Sequence, residues 1–126
     1  MYKEMNEVFP KKVEISVTEE MVRHYAEVSG DRNPVHFSKD AAGQAGYPER
    51  VAHGMLTMAI CARMVSPLLG KEAMIQSYQM KFLAPVYVND TLTISASLLS
   101  KSEMKVSGKN ENGQAAIKGR LTLAAI

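Results

Sequence analysis

The stretch Gly54-Met55-Leu56-Thr57-Met58-Ala59-Ile60-Cys61-Ala62-Arg63-Met64-Val65-Ser66-Pro67-Leu68-Leu69 decides the fold. Its apolar side chains run around the whole circumference of a helix instead of gathering on one stripe. Such a helix has no side suited to water and must be surrounded by protein. Arg63 sits in its middle and the run is short, so it does not read as a membrane span. The cover has to come from the rest of the chain.

That cover is legible after Gly70, where the pattern turns to strand. Met74 to Val88 is interrupted by Pro85. Thr91 to Leu99 alternates Leu92, Ile94, Ala96 and Leu98 with polar neighbours. Two more candidates follow, Lys101 to Asn110 and Gln114 to Ala125. Asn89-Asp90 and Asn110 to Gly113 carry turn chemistry, and Asn112-Gly113 is a hairpin signal. Short connections of this kind imply antiparallel neighbours. Upstream, Lys12 to Val17 alternates Val13, Ile15 and Val17, which adds a half-buried strand. The expectation is an α+β domain over 1–126, with an antiparallel sheet of about five strands wrapped around a long apolar helix over Gly54–Leu69. A small sheet leaves an open edge and covers one helix only partly, so a homodimer is expected.

Composition narrows the function classes. The chain has 126 residues, 46% hydrophobic and 22% charged, enough for one domain with its own core. A net charge of +2, from 15 basic against 13 acidic residues, is too slight for a nucleic-acid binder but compatible with an anionic small molecule. The single Cys61 excludes an intrachain disulfide and a multi-cysteine zinc cage. Met1 to Lys12 is polar, without the apolar core of a secretory signal. A cytoplasmic protein without membrane insertion is expected.

The chemistry concentrates ahead of the apolar helix. Thr18 can cap a helix with Glu19 and Glu20 in its first turn. Val22, Tyr25, Ala26 and Ser29 form its inward face, and Gly30 stops it. Ser38 can cap a second, short helix through Ala42, and Gly43 to His53 reads as loop. Between the helices lies Gly30-Asp31-Arg32-Asn33-Pro34-Val35-His36. Pro34 stiffens this segment and disfavours helix at Asn33. A turn at Asn33-Pro34 would bring the Asp31 carboxylate and the His36 imidazole to one site, an acid and a base sharing a water molecule. The plain alternative leaves Asp31 as an Asx-turn residue and His36 as a satisfied loop histidine.

Val51-Ala52-His53-Gly54 leads into the apolar helix. Gly54 at its N-terminus would expose a backbone N–H that lacks an intrahelical partner, open to close approach by a ligand oxygen. That is how an oxyanion site is built. His53 is expected to do no more than cap the helix. Cys61, mid-helix, reads as a buried inert thiol, His24 as a solvated outer-face residue, and most of the nine methionines as core packing. Asp31, His36 and His53 match no standard metal motif, so no metal is expected.

Together, Tyr25-Ala26-Glu27-Val28-Ser29-Gly30-Asp31-Arg32-Asn33-Pro34-Val35-His36 and Val51-Ala52-His53-Gly54-Met55 resemble the (R)-specific enoyl-CoA hydratases, the MaoC-like dehydratases. Lys81-Phe82-Leu83-Ala84-Pro85-Val86 is similar to that family's strand after the central helix. The resemblance implies a hot-dog fold, a homodimer, and Asp31 and His36 as the catalytic pair. Gly54 and Asn33 would serve the oxyanion and the substrate. The reaction implied is that of a hydro-lyase interconverting trans-2-enoyl and (R)-3-hydroxyacyl thioesters of CoA or acyl carrier protein, with no cofactor besides that carrier. Some members place a serine about two turns beyond the His-Gly, where this chain has Cys61-Ala62-Arg63. The nearest hydroxyls are Thr57 and Ser66. A hot-dog acyl-thioester hydrolase and a non-catalytic acyl-thioester binding subunit are the competing readings. Arg32, Lys71, Lys81 and Lys105 are candidates, by charge alone, to meet the carrier.

Overall fold

The computed structural model describes residues 9–70 and 72–126. Strand β1 (Lys11–Ser16) alternates half-buried and exposed residues as its period-two pattern requires. Helix α1 (Glu19–Ser29) is capped by the Thr18 side chain, which accepts from the Met21 N–H, and is closed by Gly30 at φ 79°. A single 3-10 turn, Pro34–His36, precedes the short helix α2 (Lys39–Gln44), capped by Ser38. Helix α3 (Gly54–Cys61) is followed by β2 (Ala73–Phe82), β3 (Thr91–Leu98), β4 (Glu103–Lys109) and β5 (Ala115–Ala125).

All four strand pairings are antiparallel, in the order β1-β3-β4-β5-β2. The turn at Asn89-Asp90 therefore does not make β2 and β3 neighbours, contrary to expectation. β2 pairs with β5 instead, and the segment after Phe82 crosses over, bonded on its way to Arg50 and Ala52. The Asn89-Asp90 turn is held by the residue that follows β1: Val17 donates to Asp90 and accepts from Asn89. At the β4–β5 turn the buried Asn110 uses Oδ1 to accept from the backbone of Asn112 and Gln114. Its amide donates to the Pro85 carbonyl, tying the crossover to the hairpin.

The long helix is shorter than expected. Regular α-helix ends at Cys61, and two 3-10 turns, Ala62–Met64 and Ser66–Leu68, complete the run. Pro67 accounts for the break. It has no N–H to donate, its ring clashes with the preceding turn, and it disfavours helix at Ser66. Leu56, Ile60, Met64 and Leu68 still point into the core formed with Leu92, Ile94, Met104, Val106, Ile117, Leu121 and Leu123. Each such fully buried chain stabilises by roughly 1.5–3 kcal/mol over exposure, more than a surface ion pair does. The enclosure is one-sided, however. Met55 is 56% exposed, and Ala59, on the same helical face, is also open. Edge strand β2 likewise leaves Met74 and Phe82 in the open.

Candidate active site

Local hydrogen bonds shape the loop after α1. Ser29 Oγ accepts from the Asp31 N–H, Asp31 Oδ1 from Asn33, and Asn33 Oδ1 from Val35. Pro34, with φ preset for the first position of a helical turn, follows directly. The plain and the chemical readings of Asp31 both hold. One oxygen makes the Asx turn, and the other, Oδ2, stands 3.9 Å from His36 Nε2.

That gap is too long for a direct hydrogen bond and suits an oxygen touching both groups. The tautomer of His36 follows from its other nitrogen. Nδ1 lies 2.6 Å from the Val51 carbonyl oxygen, which can only accept, so Nδ1 carries the proton. In the neutral ring Nε2 is then a lone-pair base aimed at the carboxylate side. His36 is buried, while the Asp31 side chain is 52% exposed. A fixed base thus faces a carboxylate reachable from solvent.

His53 does not cap α3; its side chain makes no bond to the helix end. Its ring is buried and stacks on His36, with centroids 3.6 Å apart and planes inclined by 25°. Its Nε2 donates to the Asp31 carbonyl over 3.0 Å. The sequence signal for this was the position itself, a polar ring between Ala52 and Gly54 at an apolar helix entry. Ligand atoms of Asp31, His36 and His53 lie within 4.8 Å of one another. Of these atoms, His53 Nε2 already donates to the Asp31 carbonyl.

Gly54 opens α3 on the adjoining surface, beside a pocket of about 310 Å³. Val51, Gly54, Phe82, Pro85 and Ala116 line it. A Cβ at Gly54 would come within 3.2 Å of the Phe82 ring. The catalytic candidates do not line this pocket themselves. They meet it through Val51, whose carbonyl holds His36, and through His53, which directly precedes Gly54. The Thr57 hydroxyl donates to the Gly54 carbonyl over 2.6 Å, so it braces the helix entry. Cys61 is fully buried and its thiol is pushed up to about 12 by that burial, which leaves it inert. His24 is exposed, as expected.

Of the basic candidates, Arg32 stands exposed in the loop and Lys71 lies outside the described residues. Lys81 and Lys105 line one groove of about 830 Å³ with Lys118 and Arg120. Leu83 belongs to both this groove and the Gly54 pocket.

The MaoC like domain matches residues 2–119. The chain belongs to the MaoC-like family. This MaoC-like chain is 35% identical over 86 residues to the mitochondrial 3-hydroxyacyl-[acyl-carrier-protein] dehydratase of Arabidopsis thaliana, covering 68% of this chain and 51% of that protein. It is 33% identical over 84 residues to the (R)-specific enoyl-CoA hydratase of Rhodospirillum rubrum, covering 66% and 58%. The match thus spans little more than half the length of these relatives. Among solved structures, the unliganded R-hydratase PhaJ1 from Pseudomonas aeruginosa superposes with a TM-score of 0.80 at 29% identity, over 92% of this chain and 80% of that one. The architecture is the hot-dog fold.

Proposed function

We propose that this MaoC-like chain is a hydro-lyase that interconverts trans-2-enoyl thioesters and (R)-3-hydroxyacyl thioesters. One observation carries the reading: His36 Nε2, its lone pair set by the Val51 carbonyl, faces Asp31 Oδ2 at 3.9 Å beside the entry to α3.

Both groups are acceptors, so a water between them donates a proton to each and turns its own lone pair outward. Attack on C3 forms the C–O bond as one proton passes to the pair. The same pair returns a proton to C2 from the same face, which makes the addition syn. Negative charge gathers meanwhile on the thioester oxygen, where the Gly54 N–H at the α3 N-terminus serves as donor. The Asn33 oxygen is engaged with Val35, which leaves its NH₂ to meet the substrate. A positioned acid or base contributes about 10² to 10⁴ in rate, and one oxyanion donor about 10² to 10³. The total needs both, and they lie on adjoining surfaces here.

The acyl group is carried by CoA or an acyl carrier protein, and the chemistry calls for no other cofactor. The names of the relatives support both carriers. The exposed Met55–Ala59 face and the open β2 edge support a homodimer that acts as a single-domain unit on each side. A lone buried thiol suits the cytoplasm. Among the described residues, no helix is long and apolar enough to cross a membrane.

The test is loss of enoyl absorbance when the protein meets crotonyl-CoA, and dehydration of (R)- but not (S)-3-hydroxybutyryl-CoA. Release of free thiol without hydration would assign the site to thioester hydrolysis. Saturable acyl-CoA binding without turnover would make it a binding subunit.

A further inference from the structure

We propose that His53 is a positioning residue that clamps Asp31 and His36 into one arrangement, through its bond to the Asp31 carbonyl and its face-to-face contact with the His36 ring. The inference rests on the hydratase reading of the pair.

Three observations carry it. His53 touches both catalytic candidates at once, by the 3.0 Å bond to the Asp31 carbonyl and the 3.6 Å stack on His36. The bond joins the loop after α1 to the entry of α3, beside the His36–Val51 and Val51–Val35 bonds that link the same two segments. His36 has one ring nitrogen tied to Val51, about which it could still swing; the His53 face removes that freedom. Finally, His53 Nδ1 is buried without a hydrogen-bond partner among the described residues. Leaving a buried acceptor unpaired is costly, and an apolar ring would avoid it. The imidazole supplies its donor nitrogen and its flat face together, which an apolar ring could not.

The surroundings of His53 assign the charge as well. The ring packs against His36 and Asp31 on the loop and edge-on against Tyr25 of α1. Burial pushes its proton affinity below the ordinary value and His36 adds to this, against the raising effect of Asp31. His53 stays neutral while His36 takes the proton in turnover. It offers the resulting imidazolium a π face instead of a second positive charge.

The variants His53→Leu and His53→Gln separate the parts. Leucine removes donor and face; glutamine keeps an amide N–H donor. For His53→Leu, kcat should fall about 10- to 100-fold with KM within about threefold, the cost of a misplaced catalytic group. His53→Gln should recover at least half of that loss on a logarithmic scale. Imidazole ¹⁵N spectra of the wild-type protein should show His53 as the Nε2–H tautomer and His36 as the Nδ1–H tautomer. In His53→Leu, the Val51 bond should still hold His36 as Nδ1–H while its ring loses its fixed orientation. The proposal is overturned if wild-type His53 carries its proton on Nδ1. It is equally overturned if folded His53→Leu keeps kcat within twofold, or if His53→Gln is as impaired as His53→Leu. Should leucine prevent folding, the wild-type spectra and the glutamine variant decide. The spectra need no turnover, so they read the clamp even if crotonyl-CoA is not hydrated.

Discussion

The side-chain hydrogen bonds that shape Ser29 to Val35 join residues two positions apart. The pocket at Gly54 takes its walls from Val51, Phe82, Pro85 and Ala116, brought from across the chain. In the loop, each polar side chain settles the backbone of its near neighbour, and one turn later the carboxylate and imidazole face each other. In the pocket, the geometry depends on where the crossover after β2 is pinned, and Asn110 does that from the β4–β5 turn. Phe82 and Leu83 remain about half exposed there. The Asp31–His36 pair is thus built locally and stiffly, whereas the pocket proposed to receive the acyl group is built remotely and can give.

The sharpest way to break this contrast is at the loop. Asp31→Asn keeps the Oδ1 acceptor of the Asx turn and removes the charge facing His36. Activity on crotonyl-CoA should drop on the order of 10² to 10⁴, with an unchanged melting curve. His36→Ala should fall by a similar factor. Residual rates within tenfold of wild type would show that the pair is not the acid–base device.

The pocket should respond more mildly. Gly54→Ala directs a methyl at a Phe82 ring that is free to move, so kcat/KM should decrease about tenfold, or about 1.4 kcal/mol. The decrease should vary with acyl chain length, measured across a thioester series. A uniform loss at every length would mean the amide, and not the wall, had been disturbed.

Smaller still is the effect of loosening the loop without touching its chemistry. Asn33→Ala deletes the acceptor for the Val35 N–H ahead of Pro34 and should destabilise by about 1 kcal/mol in urea unfolding. Loss of activity without loss of stability would instead assign Asn33 mainly to the substrate.

The smallest effect is one of pH. Burial holds His53 below the ordinary imidazole value of about 6.5, so the unfolded chain binds this proton more readily than the folded one. Its contribution to stability is therefore complete above about pH 6.5 and is lost progressively as the pH falls below that value. Melting temperatures measured as the pH is lowered from about 6.5 should decline less steeply in His53→Gln than in the wild type. Equal slopes would show that this histidine does not carry the effect.

Much of this was legible in the residues. Thr18, Gly30 and Ser38 mark helix ends by their own chemistry, and the alternation in β1 and β3 shows which faces turn inward. Asp31, Pro34 and His36 were legible because neighbours bend that segment. His53 was not, because a histidine before a helix looks the same whether it caps the end or reaches back to a loop 22 positions earlier. The end of α3 at Cys61 was missed although Pro67 lay in view, since apolar periodicity continues through 3-10 turns almost unchanged.

Local bonding and the apolar pattern thus determined, from sequence alone, that an apolar helix packs under antiparallel strands with a loop carrying Asp31 and His36 before it. Only the tertiary structure decided that β2 lies beyond β5, that His53 stacks on His36, and that the pair adjoins the Gly54 pocket without lining it. Sequence periodicity reports which way a side chain faces. Which distant segment it then meets is set by packing, where many contacts, each worth little, select one arrangement together.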